Sequence, residues 1–181
     1  TSTSPWARRV LAFLYVGNID PRKRVDLVLD AWEASTLRAQ GLVLVLASRH
    51  AWGADDVVAR VAAGVPGVIW LRDADDDLVR DLYRAARAFG FPALEAQACG
   101  APVVASDRGA LAENLADSAQ ILPQLDAKLL AEMLEEVVGD DVLAADLRSR
   151  GFRNVERFRW ERSIEAHLGV FRAAASGGPR R

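Results

Sequence analysis

Leu11-Ala12-Phe13-Leu14-Tyr15-Val16-Gly17-Asn18-Ile19-Asp20-Pro21-Arg22-Lys23-Arg24 is the stretch on which the reading of the whole chain turns. Its first six residues are continuously apolar, bounded by Arg8-Arg9 before and Gly17 after. An apolar run without alternation is the pattern of a strand buried on both faces, as in a covered parallel sheet. Gly17 frees the backbone where the chain leaves the sheet, and Pro21 pre-sets the start of a helix. Val25, Val28, Leu29 and Trp32 then recur at helical spacing. This places Arg22, Lys23 and Arg24 on the first helical turn, where the helix already carries partial positive charge. A bound anion would resolve that conflict, because free N–H groups and cations would converge on the same oxygens. Lys23 and Lys128 are the two lysines of the sequence, all other basic residues being arginine. A compact ammonium at this point suits point-charge contact with a phosphate. The plainer alternative is a solvated surface triplet.

Outward from this stretch the pattern repeats. Further apolar runs at Leu42–Ala47, Val65–Leu71, Pro102–Ser106 and Ala119–Leu122 read as strands. Helical patterns lie at Ala54–Ala63, around Leu78, Leu82 and Ala86, and over Glu95–Cys99, which Gly100 ends. After Asp126 only helices are expected, marked by Leu130, Leu134 and Val137, then Val142–Arg150, then Trp160–Ala174. The expected fold is α/β, a Rossmann-like doubly wound parallel sheet with helices on both faces, and such sheets bind ligands at the carboxyl ends of their strands. One domain is expected over residues 1–175, with 176–181 a disordered tail.

Composition narrows the classes of function. The 181 residues are 51% hydrophobic and 27% charged, which is globular and excludes a disordered or fibrous chain. A net charge of -2 argues against nucleic acid as a partner. A single cysteine, Cys99, excludes a disulfide framework and a cysteine zinc site, and suits a reducing compartment. No apolar run approaches the ~18 residues of a membrane span. The chain opens Thr1-Ser2-Thr3-Ser4 without an initiator methionine, so it is expected to be a piece of something longer.

The second informative stretch is Phe89 to Ser106. A glycine and a proline precede a short helix with Glu95 in its first turn, and Gly100 turns the chain into the next strand. A carboxylate there is favoured by the helix dipole and can accept paired hydroxyl hydrogen bonds from a sugar; an ordinary first-turn glutamate is the plainer reading. Asp73, Asp75, Asp76 and Asp77 read as capping and first-turn acids rather than metal ligands. His50 lies in a loop, Cys99 reads as a buried small hydrophobe, and His167 and Trp160 read as structural, Trp160 as the anchor of the last helix. Arg148, Arg150, Arg153, Arg157, Arg159 and Arg162 read as a basic helical face interleaved with Glu156 and Glu161.

Four blocks then carry a resemblance: Gly17-x5-Lys23, the run FPALEAQACGAPVVASD over residues 91–107, Glu113 in ALAEN, and Phe158-Arg159-Trp160-Glu161-Arg162. In this order and spacing, from about Leu11 to Phe171, they resemble the C-terminal half of retaining GT-B glycosyltransferases, the broad family of bacterial mannosyl- and glucosyltransferases. The resemblance implies a Rossmann-like domain that binds the nucleotide-sugar donor of a hexosyltransferase. The acceptor-binding half would lie outside this chain, and the fragment alone would transfer nothing. By the same resemblance Gly17 and Lys23 would hold the donor diphosphate with Arg22 as helper, and Asn18 would belong to the donor-binding set. Ser48, Arg49, Leu71 and Arg72 would flank base and ribose, and Glu95 would accept from the ribose hydroxyls. Amides around Gly90, Phe91, Pro92, Ala93 and Leu94 would face phosphate and sugar. Lys23 and Glu95 would serve the reaction most directly. No metal or other cofactor is implied, and the longer enzyme would be cytoplasmic, in contact with the inner face of a membrane if its acceptor lies there.

Two departures from the family stand out. The family carries a glutamate eight residues before the position of Glu95, where this chain has Arg87, and about ten residues of family pattern are lacking after Ala88. Either the carboxylate is lost, or a mobile loop carrying it belongs between Ala88 and Phe89. The second is the expectation, because a parallel sheet cannot cheaply lose a central strand whereas donor loops are commonly mobile. Ser48 also stands where a glycine is usual, which would narrow the cleft. The rival functions are a degenerate, non-catalytic nucleotide-binding module and a different Rossmann-type protein. The latter is disfavoured by the lack of G-x-G-x-x-G after the first strand.

Overall fold

A computed structural model describes residues 11–90 and 93–177. Six strands and eight α-helices alternate through it. Strands β1 (Leu11–Val16), β2 (Val43–Ala47), β3 (Val68–Leu71) and β4 (Ala88–Phe89) form a parallel sheet in the order β3-β2-β1-β4. Strands β5 (Val104–Ser106) and β6 (Gln120–Leu122) form a parallel pair. A single bridge from Phe89 to Val103 joins the two, with the Phe89 amide donating to the Pro102 carbonyl at 2.9 Å. The resulting order, 3-2-1-4-5-6, is that of a doubly wound sheet, and its switch point falls between β1 and β4.

The expected strands are present, each trimmed at its amino end except β1. The continuous apolar runs are explained by cover on both faces. On one side Phe13, Tyr15, Leu44 and Leu46 pack with Trp32 of α1 (Val25–Ala34) and Leu134 of α6 (Ala127–Gly139). On the other, Leu14, Val43 and Val45 pack with Leu82 and Tyr83 of α3 (Asp76–Ala85) and Ala93 and Ala96 of α4 (Ala93–Ala98). Helix α2 spans Asp55–Ala62 and α7 spans Asp141–Val155. Asp75, Asp126 and Asp140 cap α3, α6 and α7 through their carboxylates, so the capping role expected for Asp75 holds. Helix α5 (Leu111–Leu115) is a short addition to the expected elements, with Leu115 its one buried residue.

Four expectations need correction. Ala88 and Phe89 are consecutive residues of β4, paired to Phe13 and Leu14, so no loop lies between them. The strand is present as two residues, and the sequence runs straight through it. Trp160 is 81% exposed and anchors nothing; α8 (Trp160–Ala175) buries none of its residues. His167, expected to be structural, lies exposed on the same helix, its Nδ1 2.7 Å from the Ser163 carbonyl. The arginines from Arg148 to Arg162 fall on α7, α8 and the turn between them rather than on one face. Arg150 pairs with Asp146, and Arg157 donates to Asn154.

One buried polar group was not foreseen. Gln97, 1% exposed on α4, donates to the Ser118 carbonyl and hydroxyl at 3.0 and 2.7 Å and accepts from Asn154 Nδ2 at 2.9 Å. It binds α4 to the loop after α5 and to α7, where Gly151 has no side chain to obstruct it: a Cβ there would stand 3.1 Å from Gln97 Cγ. Gln97→Leu is therefore expected to cost about 1–3 kcal/mol, because buried partners lose their bonds without regaining water. Urea unfolding measures it, and an unchanged midpoint would show the network to be dispensable.

Candidate functional site

The site is built where strands end. Gly17 leaves β1 with φ +129°, a conformation that a side chain would strain, and its amide donates to the Ala47 carbonyl at 3.0 Å. The loops after β1 and β2 are then laced together: the Ile19 amide donates to the His50 carbonyl and the Trp52 amide to the Ile19 carbonyl, both at 2.9 Å. Tyr15, buried in the sheet, donates its hydroxyl to the Asn18 carbonyl at 2.6 Å. Burial and then the Asp20 charge push the Tyr15 phenol up, so it stays a neutral donor.

The cations do not sit on the first turn of α1. Pro21–Lys23 form a 3-10 turn capped by Asp20, and Arg24 takes a left-handed φ of +50° before α1 opens at Val25. Proline at the first position and a carboxylate cap favour this short turn, and its left-handed exit re-aims the chain into the helix. Asp20 accepts from the Arg22 amide at 3.0 Å and from Arg22 Nε at 3.2 Å. Burial pushes the Asp20 carboxyl up, but the Arg22 hydrogen bonds and charge, with the Lys23 charge, hold it below the ordinary carboxylate range. A carboxyl with a depressed folded value lends stability above its unfolded value, near 4, and loses it as pH falls through the folded one. Comparing urea midpoints of the native chain and Asp20→Asn at pH 6 and pH 3 tests this. The native advantage should be present at pH 6 and shrink at pH 3; a gap that is equal at both would remove Asp20 from the acid response.

The central contact is between Lys23 and Gly17. A Cβ built on Gly17 would lie 3.0 Å from Lys23 Nζ, so the ammonium rests against the backbone at the end of β1. On either side of it opens a cavity. The smaller, about 340 Å³, is lined by Gly17, Asn18, Ser48, Arg49, Leu71 and Arg72, six of the residues expected to face a ligand. Ser48 is buried and donates its hydroxyl to the His50 carbonyl at 3.0 Å, holding the loop rather than blocking the cleft. The Arg72 guanidinium lies 4.0 Å over the Trp70 ring, whose Nε1 donates to the Ser48 carbonyl at 3.0 Å. A flat cation presented this way can stack on a base. The larger cavity, about 550 Å³, holds Arg22, Lys23 and Gly90 with Arg24 and Arg108, and was not foreseen as a cavity.

Glu95 is apart from both. It is exposed on α4, and its charge, after burial, raises the Tyr83 phenol. Ala93 and Leu94 likewise line neither cavity, and Phe91 and Pro92 lie outside the described residues. Cys99 is half-buried on the apolar face below α4. Among the described residues no group of three or more His, Cys, Asp or Glu side chains converges as a metal site. No described helix is long and apolar enough to cross a membrane.

A doubly wound parallel sheet with clefts at the carboxyl ends of its strands defines a Rossmann-like α/β domain. Its structural neighbours are GT-B glycosyltransferases. Sucrose-phosphate synthase from Thermosynechococcus elongatus superposes with a TM-score of 0.75 at 23% identity, over 92% of this chain and 46% of that one, which establishes the fold. Residues 11–140 match the family model described as glycosyl transferases group 1, and the chain belongs to that family. Among curated relatives, the O-antigen chain mannosyltransferase B of Escherichia coli is 27% identical over 88% of this chain and 45% of its own length. The D-inositol 3-phosphate glycosyltransferase of Saccharomonospora viridis is 35% identical over 91% and 43%. The chain thus spans less than half the length of the curated relatives it matches.

Proposed function

We propose that this domain is the donor-binding, C-terminal half of a retaining hexosyltransferase and holds a nucleotide diphosphate sugar across the two cavities. The observation that carries the reading is Lys23 Nζ resting over Gly17 at the end of β1, between a polar cleft and a cationic one. In this arrangement Ser48, Arg49 and Arg72 receive the base and ribose, with Asn18 and Leu71 on the floor. Gly17 brings backbone amides close to the diphosphate, and Lys23 with Arg22 neutralises it. Charge gathered there stabilises a departing nucleoside diphosphate without a metal ion, by positioning and preorganised electrostatics. Glu95, exposed on α4 outside both cavities, has no place in this arrangement. A mannose-type donor is in keeping with the name of the Escherichia coli relative, a glucose-type donor being the other hexose considered, and the acceptor half is supplied by the rest of the enzyme, cytoplasmic and at a membrane face where the acceptor requires it.

The continuity of β4 through Ala88 and Phe89, with Arg87 in place of a carboxylate, favours a second reading of the chemistry. In that reading the domain binds nucleotide and does not catalyse. Titration of UDP, GDP and their glucose and mannose derivatives by calorimetry tests the binding common to both, and saturable binding of one nucleotide series is the expected result. Heat that never saturates with any of them would sink both readings. Release of free sugar from the bound donor by this chain would exclude the non-catalytic one.

A further inference from the structure

Helix α8 presents its apolar face to water. Its sixteen residues, Trp160–Ala175, extend about 24 Å, and none of them is buried. At 3.6 residues per turn Trp160, Ile164, Leu168 and Phe171 fall within an arc of about 80°. These four side chains are between 42% and 81% exposed. Single exposed apolar residues are ordinary, but a continuous stripe of four large ones marks a surface that meets another. The charges beside the stripe select its partner. Glu161 and Arg172 lie along the same edge, about 20° apart around the helix, the acid near its amino end and the base near its carboxyl end. Neither forms an ion pair with another described residue. Glu165 follows Glu161 at i+4, a like-charge spacing that weakens an isolated helix. The opposite edge, Ser163, His167, Val170 and Ala174, holds no carboxylate or arginine.

We infer that this face is covered by α8 of a second copy of the chain, packed antiparallel about a two-fold axis that crosses between Ala166 and His167. Such an axis, perpendicular to the paired helices, brings the same edge of each against the other. Glu161 then faces Arg172 of the second copy, and Arg172 faces its Glu161, while the apolar stripes close between them. A parallel pair would set this edge against the one without carboxylate or arginine and leave all four charges unmatched. An anionic membrane is a poorer occupant, because Glu161 and Glu165 balance Arg162 and Arg172 along the helix. A contact one helix long is at the small end of specific interfaces, so the pair forms reversibly. This pairing goes beyond the donor-binding reading, which places nothing on α8.

Sedimentation equilibrium of the 181-residue chain tests the pairing, and the mass should climb from one chain to two between about 1 µM and about 1 mM. Phe171→Asp, which puts a charge into the stripe, should hold the chain single throughout and leave the urea midpoint unchanged, since α8 covers no core. Glu161→Arg or Arg172→Glu alone places like charges opposite one another and should weaken association by about tenfold. The double reversal should regain the native constant. So should an equimolar mixture of the two single variants, in which every arginine again meets a glutamate. A loss of helix stability would instead accumulate in the double variant, because both reversals oppose the helix dipole. A chain that stays single at about 1 mM overturns the proposal, whether or not it attaches to lipid vesicles. Single reversals without effect overturn it too, as does a double variant that associates more weakly than either single one.

Discussion

Lys23→Ala is expected to weaken binding of UDP- or GDP-linked sugars by roughly ten- to 150-fold, the loss of about 1.5–3 kcal/mol that a charge-assisted hydrogen bond contributes. The size follows from the position of the ammonium. It stands against Gly17, where the backbone bends away at the end of β1, and borders the larger cavity. A phosphate placed there meets a fixed point charge rather than a mobile surface lysine. The Lys23 side chain is only partly buried, so the substitution should leave the unfolding midpoint within about 0.5 kcal/mol of the native value. Calorimetry on both proteins decides the matter. Equal dissociation constants would remove Lys23 from the phosphate site, and a parallel fall in stability would mean that the turn, not the ligand contact, had been lost. Arginine is not expected to rescue fully, because its planar fork needs room that the Gly17 backbone limits.

Trp32→Ala should be the most damaging single change in the domain, about 3–5 kcal/mol. Trp32 is fully buried on α1 and its Nε1 donates to the Pro66 carbonyl at 3.0 Å, pinning the helix to the turn that leads into β3. The turn is shaped to it: a Cβ on Gly67 would come within 3.0 Å of Trp32 Cζ2. Alanine would leave a void and an unsatisfied carbonyl together. Against a typical total of 5–15 kcal/mol, this is a large share of the stability, and at about 2–4 °C per kcal/mol it lowers the melting temperature by about 6–20 °C. Trp32→Phe keeps most of the volume and loses the hydrogen bond, so it should cost about 1–2 kcal/mol. Thermal unfolding of the three proteins checks both numbers; equal melting temperatures would mean that the pocket closes around alanine.

The doubly wound sheet was legible because β1 and β2 bury both faces, and only unbroken apolar runs such as LAFLYV and LVLVLA can do so. The cleft lined by Gly17, Asn18, Ser48, Arg49, Leu71 and Arg72 was legible for the same reason, since residues that follow parallel strands gather at one edge. What escaped depends on distance in space. Ala88-Phe89 is too short to announce a strand, and its partners Phe13 and Leu14 lie far back in the chain. The cation turn was misplaced by a few residues because Pro21 starts a 3-10 turn as readily as an α-helix, and Arg24 at positive φ has no signature in an L-residue. Gln97 sits in a run of small residues on α4 that reads as apolar packing; its partners Ser118 and Asn154 are met only after folding.

The bare helix α8 has a consequence of its own. Sixteen residues with no core beneath them are near the lower limit at which a helix persists in water. Its amides should therefore exchange with deuterium in the time that a loosely coiled peptide needs, while those of β1 remain protected far longer. The indole of Trp160 should emit as one bathed in solvent. In the free chain this segment thus keeps its own clock, and what it reports is the company it keeps rather than the health of the sheet.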